Sequence, residues 1–254
     1  MFSKKKKLGL ALGSGGAKGM AHIGALRALE EMGLRFSAVA GTSIGSIVGA
    51  LYAKGYSSKD MAELLSRLDY KGLAMSVLIA GSVQPARRML DDILDESEFS
   101  ELKIPFAAVA TDAESGEEVA LDSGNVASAV LASGAMPPFF KGVDLGGKTL
   151  VDGAFANAVP GDVAKKLGAD FVVGISLSPA KDYEKTFFLT RSGEKKEICQ
   201  RGIGRCDFLL APDLSAYSAA SVTGAAEMYD IGYECAMRAC DDLMRALRAK
   251  KISV

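Results

Sequence analysis

The 254-residue chain reads as an α/β fold built on a largely parallel sheet. Three observations predict it. Short apolar runs alternate with helix-period stretches along the whole sequence. No internal repeat and no linker rich in Pro, Gly or Ser breaks that alternation. The composition, 49% hydrophobic and 24% charged, is that of a globular protein long enough to bury a sizeable core. One domain is the economical reading.

The first apolar run, Leu8-Gly9-Leu10-Ala11-Leu12, follows the lysines Lys4 to Lys7 and superficially resembles a signal peptide. It is shorter than the ~7 residues of an h-region, and it runs into a glycine cluster instead of a cleavage site. It therefore reads as a buried strand over 8–12 behind a basic tail, residues 1–7. Such a tail is ordinarily solvated, but beside a lipid-active domain it would be drawn to an anionic membrane surface. A helix is expected over 17–32, a strand over 37–41 and a helix over 43–54. In the last of these, Ile44, Ile47, Val48, Leu51 and Tyr52 interleave with Gly45, Gly49, Ala50 and Ala53. A helix apolar nearly all round is buried, and its small residues allow close packing on a sheet.

Ser57 followed three residues later by Asp60 is a capping signal for a helix over 58–68. A helix over 85–95 and a strand over 105–110 follow. Glu114-Ser115-Gly116-Glu117, within Asp112 to Asp122, suits a turn between two strands. Next come a helix over 124–133, a strand over 149–152, a helix over 157–167, strands over 170–175 and 207–211, and a helical stretch over 217–249.

Several classes of function lose support at this level. The net charge of -1 gives no electrostatic case for a nucleic-acid partner. No stretch reaches the ~18 apolar residues of a membrane span, so a cytoplasmic protein, with peripheral membrane contact at most, is expected. Cys199, Cys206, Cys235 and Cys240 lack the paired C-x2-C spacing of a zinc site. Cys235 and Cys240, five apart on an expected helix, do not share a face. All four read as free thiols.

Gly41-Thr42-Ser43-Ile44-Gly45 is a G-x-S-x-G pentapeptide between an expected strand and an expected buried helix. Small residues on both sides let the chain turn sharply and expose the Ser43 hydroxyl, and the following helix N-terminus favours a developing oxyanion. An α/β-hydrolase places its histidine after the serine. The only histidine here, His22, comes before it and lies at i+3 and i+7 spacing from Ala25 and Leu29, on the sheet-facing side of its helix. It reads as a packed structural residue, so a serine nucleophile here needs another base, and an aspartate is the best candidate.

Gly13-Ser14-Gly15-Gly16-Ala17-Lys18-Gly19 joins the first strand to the first helix. Counting G-x-G-x-x-G from Gly13 puts Lys18 where the last glycine belongs, and a P-loop needs Gly-Lys-Ser/Thr, so both phosphate-binding readings fail. What remains is a glycine turn whose backbone N–H groups are free to point at an anion. Near Ser43 the natural guest is the tetrahedral oxyanion of acyl transfer. Asp152-Gly153-Ala154 ends the strand at 149–152. Alone it is most simply a turn, but it sets a carboxylate at the strand edge where ligands gather in open α/β sheets.

Together these segments resemble the patatin-like phospholipase family from about Leu8 to Pro212. The glycine-rich loop matches Ser14-Gly15-Gly16-Ala17-Lys18-Gly19, the elbow matches Gly41 to Gly45, the Ala-Ser-x-x-x-Pro block matches Ala132-Ser133-Gly134-Ala135-Met136-Pro137, and the Asp-Gly-Gly/Ala block matches Asp152-Gly153-Ala154. All four occur in the family's order. The one departure is Ser14, where the family's loop has its first glycine. The resemblance implies a three-layer, doubly wound α/β fold, a hydrolase domain over 8–212 with 213–254 as a C-terminal helical extension, and a Ser43–Asp152 dyad. Amides of Gly15 and Gly16 would form the oxyanion hole, and a dyad of this kind needs no metal or other cofactor.

The implied activity is carboxylic ester hydrolysis of the phospholipase A or lysophospholipase type, on a lipid or acyl-ester substrate. Leu73 to Ala80 is strongly apolar. Its simplest reading is a core segment; the sharper one makes Leu78 and Ile79 part of an acyl-chain wall or lid over residues 71–84, with Phe139 and Phe140 lining the same pocket. Two rivals stay open: an esterase or thioesterase acting on small soluble acyl compounds, and a catalytically idle regulatory or scaffold protein.

Overall fold

A computed structural model describes residues 6–67, 84–138, 140, 142–179, 186–198, 201–221 and 223–252. Its centre is a mixed, mostly parallel sheet. β1 (Leu8–Leu12), β2 (Ala38–Thr42), β3 (Phe106–Asp112), β7 (Phe171–Ile175) and β10 (Phe208–Leu210) run parallel, in the order β10-β7-β1-β2-β3. β4 (Glu118–Leu121) and β6 (Lys148–Asp152) pair antiparallel with β3, and β5 (Val143–Leu145) closes the edge on β6. The expected strands all form, within two residues at each end.

β1 is the switch point of this order. The chain steps from β1 to β2 and β3 on one side, then returns to β7 and β10 on the other, and ligands in open α/β sheets gather outside the carboxyl ends at such a point. Alternation along β1 divides the core. Leu10 and Leu12 join the large cluster with Ile23 and Leu26 of α1 (Met20–Glu31) and Val48 and Leu51 of α2 (Ile44–Lys54). Ala11 faces the smaller cluster with Val163 and Ala164 of α6 (Gly161–Lys166). Helices thus cover both faces, unequally. α3 (Ser58–Ser66), with the predicted Ser57–Asp60 capping box formed, α4 (Gln84–Leu94) and α5 (Val126–Ser133) also pack into the thicker layer.

The departures have local causes. The helix expected over 157–167 begins only after Pro160, because proline disfavours helical backbone in the residue before it. The stretch over 217–249 is α7 (Ala225–Arg238) and α8 (Cys240–Ala249), broken at Ala239. Residues 217–221 instead form turns in which the Ser218 and Ser221 hydroxyls take backbone N–H groups, competing with helix. The hairpin of β8 (Thr186–Leu189) and β9 (Lys195–Ile198) was not expected, because β9 opens on Lys-Lys-Glu and shows no apolar alternation. β5 was missed as a three-residue strand, although Gly146 and Gly147, both at positive φ, are a hairpin signal.

Candidate active site

The end of β2 delivers Ser43 in a backbone conformation few side chains adopt, φ 55° and ψ -124°. Such geometry costs on the order of 1–3 kcal/mol and persists only where its surroundings enforce it. Here the flanking glycines permit it. A Cβ on Gly41 would collide with the carbonyl of Gly45, and one on Gly45 with the carbonyl of Leu12. α2 starts at the next residue, with Ser46 N and Ser46 Oγ both donating to the Ser43 carbonyl at 2.8 and 2.6 Å. Ser43 N–H donates to the hydroxyl of Ser133 at 2.9 Å.

Asp152 reaches the same place from β6. Its residue pairs with Ala110 of β3, and Val109 of β3 pairs with Thr42, so the two strand ends stand one strand apart at the carboxyl edge. Ser43 Oγ donates to Asp152 Oδ2 at 2.7 Å, and Ala154 N–H donates to Oδ1 at 2.8 Å. Asp152 is buried. Burial pushes its carboxyl up to about 6, against the opposing pull of those two hydrogen bonds. Two threonines fix the frame around it: Thr111 Oγ1 donates to the Asp152 carbonyl at 2.8 Å, and Thr42 Oγ1 to the Asn157 carbonyl at 2.8 Å.

The glycine turn after β1 lies beside this pair; a Cβ on Gly19 would strike the Ile44 side chain. Most of its amides are engaged. Gly13 N donates to Ile175 O at 2.9 Å, Ser14 N to Ala158 O at 2.9 Å, Ala17 N to Ala219 O at 2.8 Å and Lys18 N to Gly15 O at 3.3 Å. The amides of Gly15 and Gly16 have no acceptor among the described residues. Gly16 sits at φ +56° with its Cα against the Ala219 carbonyl, a place no side chain fits. His22, fully buried in α1, bonds the Gly13 carbonyl through Nε2 at 2.7 Å. Burial lowers its pKa to about 4, so it is neutral near pH 7, with Nε2–H the donor.

The two residues expected to react are therefore in hydrogen-bond contact, and the two expected amide donors are open. Phe140 is half-buried and packs against the large core cluster. Leu78, Ile79 and Phe139 lie outside the described residues, as does most of the expected lid over 71–84. The sequence motifs contain Ser133 and Thr42 without giving either a task, and they leave out Thr111. Their signal is weak, since a strand-end threonine suits any sheet. Among the described residues no helix is long and apolar enough to cross a membrane.

Comparison with known proteins finds relatives in sequence and in fold. An uncharacterized NTE family protein of Mycobacterium tuberculosis is 33% identical over 192 residues, 72% of this chain and 53% of that protein. Human patatin-like phospholipase domain-containing protein 6 is 32% identical over 185 residues, 67% of this chain and 13% of that protein. The chain thus spans about half the length of the mycobacterial relative. In fold it is similar to VipD from Legionella pneumophila (TM-score 0.60, 15% identity, 94% of this chain and 67% of that one). It is also similar to human GIVD cytosolic phospholipase A2 (TM-score 0.53, 11% identity, 96% and 59%). The family model described as patatin-like phospholipase matches residues 10–165, which include the glycine turn, Ser43, Ser133 and Asp152, and the chain belongs to that family.

Proposed function

We propose that this protein is a serine-dependent lipid ester hydrolase, of phospholipase A or lysophospholipase type, working through Ser43 and Asp152. The observation that carries the reading is the 2.7 Å hydrogen bond from Ser43 Oγ to a buried carboxylate whose pKa is raised to about 6. An ordinary aspartate, near 3.9, is a poor base at neutral pH. Asp152 is a better one and is still mostly ionised at pH 7.

As Ser43 Oγ attacks the ester carbonyl, its proton passes to Asp152 and a C–O bond forms. The carbonyl oxygen becomes an oxyanion, held by the Gly15 and Gly16 amides. Collapse breaks the bond to the leaving oxygen, which takes the proton from Asp152 and departs as alcohol. Water then repeats the sequence on the acyl-enzyme: Asp152 accepts its proton, hydroxide adds to the carbonyl, and Ser43 leaves reprotonated, releasing the carboxylic acid. The first proton moves between oxygens already 2.7 Å apart, and the scheme balances with this chain's own groups, the ester and water.

The family and the relatives named as phospholipases support a lipid ester as substrate. The reading is tested by intact-mass labelling with a fluorophosphonate and by hydrolysis of p-nitrophenyl esters of increasing chain length. Labelling confined to Ser43, absent in Ser43→Ala, with turnover lost in Asp152→Asn, is the expected result. Wild-type protein that neither labels nor turns over would sink it. A rate that favours short over long acyl chains would shift the substrate to small soluble esters.

A further inference from the structure

We infer that Ser133 is a positioning residue of this site, acting on Ser43 through the Ser43 backbone amide. The inference rests on the reading of Ser43 as nucleophile. Ser133 is the last residue of α5 and is fully buried. Its hydroxyl donates to the Val109 carbonyl at 2.5 Å, which spends its one hydrogen and leaves lone pairs toward Ser43. Ser43 N–H donates into them at 2.9 Å. Val109 belongs to β3, beside Thr42 in the register of β2 and β3. One hydroxyl thus ties the elbow to the neighbouring strand and to α5 at once.

Two consequences follow from that bond. First, Ser43 holds φ 55°, a conformation that relaxes unless something enforces it. The glycines around it permit the turn, whereas the bond to Ser133 enforces it. Without the hydroxyl, the Ser43 amide and the Val109 carbonyl both lose this partner. The elbow is then free to rotate Oγ away from Asp152 Oδ2. Second, the Ser43 amide is committed to Ser133 and is withheld from an oxyanion, so the open amides of Gly15 and Gly16 carry that task.

The experiment compares wild type with Ser133→Ala, Ser133→Thr and Ser97→Ala. Ser97 is a buried hydroxyl outside the site, donating to Leu94 O at 2.6 Å and accepting from Lys54 Nζ at 3.0 Å, and controls for loss of a buried hydroxyl that both donates and accepts. Steady-state kinetics on p-nitrophenyl butyrate, the rate of fluorophosphonate labelling and thermal unfolding are measured for each. In Ser133→Ala, kcat per labelled site falls by about 10- to 100-fold with KM within about twofold, the scale of a misplaced reacting group. Labelling slows in parallel, and Ser133→Thr, which keeps the hydroxyl, restores most of the rate. Ser97→Ala lowers the unfolding temperature and leaves kcat per labelled site unchanged.

Wild-type labelling and turnover per site in folded Ser133→Ala would overturn the inference, as would loss in both Ala and Thr variants. Should Ser133→Ala fail to fold, Ser133→Cys, of similar size with only a weak acceptor, takes its place under the same expectations. A wild-type protein labelled no differently from Ser43→Ala overturns the nucleophile reading itself. Normal wild-type labelling with an unaffected Ser133→Ala overturns only the role of Ser133.

Discussion

Burial shifts the pKa values of Asp152 and His22 in opposite directions. Asp152 is raised to about 6 by burial, against the opposing hydrogen bonds from Ser43 and Ala154. The rate of fluorophosphonate labelling is therefore expected to climb with pH through a midpoint near 6, and a midpoint near 4 would contradict a buried base. The same shift bears on stability. A carboxyl whose folded pKa is raised favours folding below its unfolded value near 4, and that contribution is lost as pH rises through about 6. His22 is lowered to about 4, so its contribution is present above its unfolded value of 6.5 and lost as pH falls through about 4. Each is worth up to ~3 kcal/mol at 1.36 kcal/mol per unit, and between pH 4 and 6 they nearly cancel. Asp152→Asn removes one side. At pH 7 it is expected to be inactive and more stable than wild type in urea, with that advantage vanishing between pH 6 and 4. An advantage independent of pH would show that Asp152 does not titrate in that window. Ser43 and Asp152 were legible in the sequence because each sits in a short motif whose backbone needs are local. The packing of His22 was legible too; the partners of Ser133 and His22, Ser43 N and Gly13 O, were not, since they depend on how strands and helices meet.

At the scale of elements, the helix that opens the site is held by backbone-to-backbone contact. α1 follows the glycine turn directly, and α7 lies against it. A Cβ on Gly24 of α1 would strike the Tyr229 carbonyl of α7, and one on Gly232 of α7 would strike the Ala21 carbonyl of α1. The two helices meet where neither has a side chain, and Tyr233 Oη reaches across to Glu31 at 2.7 Å. Gly24→Ala is therefore expected to cost about 1–3 kcal/mol in urea unfolding, as overpacking does. Gly204→Ala serves as control, because a Cβ there meets nothing within 4 Å. Equal stability of the two variants would mean that α1 and α7 part easily. α1 and its apolar face were readable from 3.6-residue periodicity. The crossing partner was not, because a glycine in a helix reads as a weakness until the opposing backbone is known.

For the whole molecule, residues 213–254 bear on whether the fold stands as one unit. Met228, Ala236, Leu243, Leu247 and Ile252 are buried in the same cluster as Leu10, Leu12 and Leu26 around β1. The turn before α7 supplies the Ala219 carbonyl that takes Ala17 N–H, beside the open amides of Gly15 and Gly16. The C-terminal segment thus closes the thick side of the sheet and braces the glycine turn, although it lies beyond the part matched by the family model. If that packing is essential, the chain unfolds in one cooperative step, with far-ultraviolet circular dichroism and loss of fluorophosphonate labelling following the same urea curve. A chain ending at Pro212 would expose the α1 face and is expected to show no cooperative transition and no labelling of Ser43. A truncated chain that unfolds cooperatively and labels at the wild-type rate would make the two C-terminal helices an appendage. The buried leucines of α8 argue against that outcome. Leu243 and Leu247 are inaccessible to solvent, and fully burying a leucine is worth about 1.5–3 kcal/mol, a large share of the ~5–15 kcal/mol that holds a typical domain together.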